Sequence, residues 1–152
     1  MVQLSTRISL SFRRYQNLAL RKKIPGFEIV RLETEVSFKI NDQWSKPETA
    51  IIDTGAHISV IPFSIWKVIS VEHIGSHTLE GIVHKKECMV PVDIGKIKCV
   101  LLDRKGNETR DLDVISFLAP TDDIPIVLGY RDLLTEFKIC LGYKKNIAYL
   151  ED

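Results

Sequence analysis

The sequence predicts an all-β domain, a barrel or sandwich of short strands with one short helix near its C-terminal end. Three observations carry this reading. Apolar and polar residues alternate along most segments, which is the period of a half-buried strand. Turn signals built on Gly, Pro, Asn and Asp return at intervals of about ten residues. Late in the chain, Tyr130, Leu133, Leu134 and Phe137 take up helical spacing.

The first element reads as a strand. Val2, Leu4, Ile8, Leu10 and Phe12 all fall on even positions, with Gln3, Ser5, Arg7, Ser9, Ser11 and Arg13 between them. Residues 1–27 also hold Arg7, Arg13, Arg14, Arg21, Lys22 and Lys23 with no acid before Glu28, a composition similar to that of an organellar transit peptide. An import helix would repeat about every 3.6 residues, so the alternation favours a structural strand. Tyr15 to Lys23 reads as a polar, basic connection closed by Pro25-Gly26.

Glu28 to Ile40 alternates again, with Val30, Leu32, Val36, Phe38 and Ile40 on one face. Asn41-Asp42 turns the chain, and Lys46-Pro47 leads into the strand that stops at Asp53. Pro62 opens one or two helical turns over Phe63 to Ile69. Glu72 to Gly81 shows little periodicity. From Cys88 the alternation returns through Val90, Val92 and Ile94; Asp93-Ile94-Gly95 then reads as a hairpin turn, with Gly95-Lys96 sending the chain back into Ile97 to Leu102. Arg104 to Asn107 is a further turn, Leu112 to Ala119 a strand, and Pro120 to Pro125 an acidic loop. Ile126 to Gly129 reads as a short buried strand, and Ile139 to Leu141 is again β-like. No repeat, low-complexity stretch or linker divides the 152 residues, which read as one domain.

Composition narrows the function classes. A hydrophobic fraction of 45% with 27% charged residues is that of an ordinary globular domain able to bury a core. A net charge of +1 supplies no global field for nucleic acid or membrane, although the basic N-terminal arm keeps nucleic-acid binding as a weaker alternative. No apolar run approaches the roughly 20 residues of a membrane span. Cys88, Cys99 and Cys140 form an odd, unpatterned set without a C-x-x-C pair, so they read as buried apolar residues in a reducing compartment. The expected location is cytoplasmic, with organellar import as the alternative.

The chemistry concentrates in Glu48 to Pro62. The apolar run Ala50-Ile51-Ile52 stops at Asp53-Thr54-Gly55, and Ile58, Val60 and Ile61 resume at once. A carboxylate set between two β-prone apolar segments is costly unless its chemistry is used. Gly55 lets the backbone turn beside the acid, and Thr54 offers a short hydroxyl that can fix the loop. The bland reading is an Asp that caps a turn; apolar residues on both sides weigh against it. His73-x-x-x-His77 has helical metal-ligand spacing, but Gly75 lies inside it and no ligand-rich partner is near, so no metal site is expected. There is no G-x-S-x-G, P-loop or dinucleotide-binding glycine pattern, and no cofactor is expected.

The loop resembles the active-site loop of the retropepsin-like (retroviral-type) aspartic proteases, hydrophobic-hydrophobic-Asp-Thr-Gly-Ala. A second segment strengthens the resemblance: Ile126-Val127-Leu128-Gly129-Tyr130-Arg131-Asp132-Leu133-Leu134 is similar to the family's apolar-apolar-Gly motif ahead of a short helix. The similarity spans about Glu28 to Leu141 at the level of pattern.

The resemblance implies an acid-protease barrel with half an active site per chain. Asp53 would be the catalytic carboxylate, supported by Thr54, Gly55 and Ala56, with His57, Ser59, Gly81, Ile82 and Ile126 toward substrate and Gly129, Arg131 and Asp132 as a structural motif. The only other Asp-x-Gly, Asp93-Ile94-Gly95, lacks the hydroxyl, so the second carboxylate must come from a second copy. A homodimer acting on a peptide or protein substrate follows. The alternative is a non-catalytic dimerisation or peptide-binding domain of the same fold.

Three departures from the viral pattern stand out. His57 replaces an acid, Arg131 comes one residue later than the usual Gly-Arg, and Glu80 to Lys85, the expected flap tip, holds Gly81 as its only glycine. The first two imply that the Arg-to-acid bridge of the viral enzymes is absent or rewired.

Overall fold

The computed structural model describes residues 5–79 and 89–152. The chain runs β1 (Arg7–Ser9), β2 (Ser11–Gln16), α1 (Leu18–Arg21), β3 (Glu28–Ile40), β4 (Gln43–Trp44), β5 (Glu48–Ile52), β6 (Ser59–Ile61) and α2 (Phe63–Trp66). It continues through β7 (Glu72–Leu79), β8 (Val90–Leu102), β9 (Leu112–Leu118), β10 (Val127–Leu128), β11 (Lys138–Gly142) and β12 (Ile147–Glu151). The described residues are mostly sheet, and each helix is a single turn or less, as the alternating sequence predicts.

Strand pairing closes on itself. β3 pairs with β5 through Glu33 to Val36, β10 lies between β5 and β6, β6 runs parallel to β9, and β9 pairs with β8. β8 then returns to β3 through Leu102 to Cys99 against Glu35 to Phe38. Within the described residues each strand of this ring has a neighbour on both sides over its ring-forming residues. Its interior is filled by Val36, Phe38, Ala50, Ile52, Ile61, Ile97, Leu101, Leu112, Val114 and Leu128, all in one buried cluster. A second sheet of order β1-β12-β11 adds Ile8, Ala148 and Leu150 to the same cluster. Burial of such aliphatic side chains, worth about 1.5–3 kcal/mol each, is what holds the short strands together.

The N-terminal alternation is seen at Ile8, Leu10 and Phe12, where it belongs to two elements; Val2 and Leu4 lie outside the described residues. Ile8 and Leu10 are buried and Phe12 is half-buried, yet β1 pairs with β12 while β2 pairs with β3. Leu10 is the crossing point, its N–H donating to the Ala148 carbonyl. β2 runs on to Gln16, and Asn17 caps α1 by accepting from the Leu20 N–H, so the segment expected to be a connection is partly structured. The helical turn after Pro62 is present and shorter than expected, with Pro62 as its N-cap residue.

Three expectations are corrected. Asp93-Ile94-Gly95-Lys96 is not a turn: β8 is continuous from Val90 to Leu102. Gly95 serves packing, since a Cβ there would lie 2.6 Å from Val71 Cγ1 and 2.9 Å from Leu118 Cδ1. Glu72 to Leu79 is a strand, invisible to periodicity because nearly every residue in it is exposed. Its β form also removes the helical spacing of His73 and His77; His73 meets Trp66 edge-on and His77 stacks on Phe117. Finally, Tyr130 to Phe137 is a turn followed by a 3-10 helix over Leu134–Glu136, not an α-helix. Asp132 takes φ +60° there, which an α-helix does not admit.

Beyond Leu141, the chain turns through Tyr143–Lys145 and Asn146, at φ +53°, into β12. Cys99 is buried and Cys140 half-buried, both as free thiols, and burial pushes the Cys99 thiol up to about 12.

Candidate active site

β5 carries the chain to Asp53 under the control of β10. The Ile51 N–H donates to the Ile126 carbonyl at 2.9 Å and the Asp53 N–H to the Leu128 carbonyl at 3.0 Å. β10 is parallel to β5, with Leu128 opposite Ile52, and antiparallel to β6, with Val127 opposite Val60. The two strands that flank the Asp53 loop are thus held apart by a third inserted between them. Buried Ile52, Ile61, Ile126 and Leu128 anchor this layer in the core.

Beyond Ile52 the loop leaves the core. Asp53, Thr54 and Gly55 are exposed, Ala56 is half-buried and His57 is exposed. The Gly55 N–H donates to Asp53 Oδ1 at 2.8 Å, and the Ala56 N–H to the Asp53 carbonyl at 3.2 Å. That bond from a backbone amide fixes the direction of the carboxylate. Among the described residues no cation forms an ion pair with Asp53.

The second motif straps this loop down. The Gly129 N–H donates to Ser59 Oγ at 3.0 Å, the Tyr130 N–H to the Ala56 carbonyl at 3.0 Å and the Arg131 N–H to the His57 carbonyl at 2.9 Å. Gly129 is required by close approach: a Cβ would stand 2.7 Å from the Ala56 carbonyl oxygen and 2.9 Å from that of Ile58. The turn that follows is anchored in its own right, because Asp132 Oδ2 accepts from the Ile115 N–H of β9 at 3.1 Å.

The residues named from sequence therefore separate. Asp53, Thr54, Gly55, Ala56 and His57 form the exposed loop, and Gly129, Arg131 and Asp132 lie directly behind it. Ser59, expected to face substrate, is fully buried, and its hydroxyl fastens Gly129. Ile126 is likewise a core residue, 5% exposed, whose carbonyl supports β5. Gly81, Ile82 and the expected flap tip lie outside the described residues.

The Arg131 guanidinium sits 3.4 Å from Asp132 on an exposed pair, and its main-chain N–H bonds the His57 carbonyl. Two contributions escaped sequence reading: the Ser59 hydroxyl as a fastener, and Tyr130, whose N–H holds Ala56. The spacing of seventy residues between Ser59 and Gly129 gives no local signal for either.

No protein-family model matches the chain, and no curated protein matches it. Among solved structures it is similar to a retropepsin-like aspartic protease from Rickettsia conorii, with a TM-score of 0.51 over 97% of this chain and 91% of that one, at 14% identity. Identity that low speaks for the fold: this chain has an all-β architecture like that of a retropepsin-like aspartic protease.

Proposed function

We propose that the protein is an aspartic endopeptidase that works as a symmetric homodimer, each copy contributing one Asp53. The observation that carries this reading is the exposed Asp53 carboxylate at the end of β5, oriented by the Gly55 N–H while β10 holds β5 and β6 apart. The sequence carries a single Asp-Thr-Gly. Water activation between acids needs two, and a two-fold axis through the loops supplies the second.

In the paired site the two carboxyls, brought close together, would share one proton. The ionised member takes a proton from the bound water as its oxygen attacks the scissile carbonyl carbon. The protonated member gives its proton to the carbonyl oxygen, and a tetrahedral diol forms without a covalent intermediate. Return of a proton to the amide nitrogen breaks the C–N bond and releases acid and amine. Thr54, next to the carboxylate and exposed, is the residue that would bridge the two loops.

The test is cleavage of a broad peptide library between about pH 3 and 7 by the parent and by Asp53→Asn. Cleavage by the parent alone supports the reading. Equal cleavage by both assigns the activity elsewhere, and none by either favours a non-catalytic peptide-binding or dimerisation domain.

A further inference from the structure

Charge is unevenly distributed along the chain. Residues 1–27 hold six of the 21 Lys and Arg and none of the 20 acids, leaving the remainder net acidic by five charges. The structure gathers much of this positive charge on one projection. Residues 28–32 of β3 pair only with β2 among the described residues, since β5 joins β3 from Glu33 onward. Phe12 to Gln16 and Glu28 to Leu32 therefore form a two-stranded ribbon beyond the closed ring, and residues 17–27 cap it.

The cap is well formed. Asn17 caps α1, the Lys23 and Ile24 N–H groups donate to the Leu20 carbonyl, and the Phe27 N–H donates to the Ile24 carbonyl. Its surface combines cations with bare aliphatic groups. Arg21, Lys22 and Lys23 are exposed, and beside them Leu18 is 72% and Ile24 50% exposed, with Val30 42% exposed on the stem. Leu18 is the most exposed large apolar residue among those described.

The stem adds a second anomaly. Arg13 and Arg31 stand directly opposite one another, both guanidinium groups against the Tyr15 ring at 5.4 and 5.0 Å. Like charges across a ladder destabilise it. Arg13 has Glu33 at 3.7 Å, whereas Arg31 has no carboxylate partner among the described residues.

We propose that this ribbon and cap form a docking surface for an anionic lipid bilayer, with Leu18 and Ile24 entering the headgroup layer and Arg21, Lys22 and Lys23 meeting lipid phosphates. Cations alone would suit a nucleic acid equally. Exposed Leu18, Ile24 and Val30 would find no partner on a phosphate backbone, while a bilayer interface takes up both kinds of group at once. The inference is independent of peptide cleavage.

Co-sedimentation of the full chain with phosphatidylcholine vesicles, alone or with about a third phosphatidylserine, tests it. Binding is expected to the anionic vesicles and to weaken with salt. Arg21→Glu/Lys22→Glu/Lys23→Glu should lower it by roughly 100-fold or more, from about five-fold for each cation removed near an anionic surface. Leu18→Ser/Ile24→Ser, with charge intact, should lower it by roughly ten-fold or more. Leu18→Ser alone guards against a folding defect, because that side chain is largely in water already. No sedimentation with anionic vesicles overturns the proposal. Parental binding by both serine variants overturns it too, as does displacement of the vesicles by a single-stranded oligonucleotide that binds more tightly.

Discussion

At the scale of single residues, the site depends on a few atoms whose partners lie far away in sequence. Asp53→Asn keeps the size of the side chain and removes the ionisable oxygen, so turnover should vanish while the fold survives; thermal melting beside a cleavage assay checks both halves. Ser59→Ala tests the fastener. It strips the buried Gly129 N–H of its acceptor, and a lost partner of that kind costs about 1–3 kcal/mol, read as a shift of the denaturant midpoint. A midpoint equal to the parent's would remove Ser59 from the frame. The frame of the candidate site is legible at Asp53, Gly55 and Gly129, which carry a local pattern of apolar flanks and a small residue. Ser59 and Ile126 adjoin the loop in sequence yet face the interior, a direction that adjacency alone does not encode. The alternation across Ser59-Val60-Ile61 buries Ser59 and Ile61 together, and that register is set by β10 and β9 rather than by the loop.

At the scale of elements, legibility followed the contrast between a strand's two faces. β9 has clean inside-outside alternation, whereas β7 is exposed along nearly its whole length and leaves no periodic trace. Gly95 and the Tyr130 to Phe137 segment misled for opposite reasons. Gly95 is small to admit Val71 and Leu118 rather than to turn, and the helical spacing of Leu133, Leu134 and Phe137 survives in a turn that Asp132 pins to β9. The N-terminal strands make a testable unit. Ile8 and Leu10 belong to the central cluster, and Ser9 N–H donates to Asp103 Oδ2 at 3.0 Å. Removing residues 1–14 should therefore lower the thermal midpoint markedly; an unchanged midpoint would mark the segment as a dispensable tail. The Asp103 contact gives this junction a pH dependence. Burial alone would raise that carboxyl, but hydrogen bonds from Ser9, Asn107 and Lys105 outweigh it and hold its pKa below the usual carboxylate range. A depressed folded-state pKa stabilises above the unfolded value of about 3.9 and loses that contribution as pH falls through the folded one. Asp103→Asn should flatten the acid limb of stability below about pH 4 relative to the parent, with the two melting curves compared at each pH.

At the scale of the whole molecule, the question is how many chains make one site. The exposed Asp53 loop faces away from the core, and the ring of pairings leaves it at a surface where a second copy can meet it. If each active unit is a pair of chains, specific activity should rise with concentration and then level off, in step with sedimentation from monomer to dimer. Mixing sharpens this. When parent and Asp53→Asn chains exchange freely in equal amounts at fixed total protein, about one pair in four contains two parent chains. Activity should then fall to about a quarter of the all-parent value, because a mixed pair has a single ionisable acid and cannot both take and give a proton. A chain that worked alone would retain about half, since only the inactive partner's share is diluted out. The difference between a quarter and a half does not depend on the substrate chosen or on absolute rates. It requires only that subunits exchange, which tagged copies of the two chains can demonstrate by co-purification after mixing. A value of one half under proven exchange would overturn the two-chain site while leaving Asp53 as the essential acid.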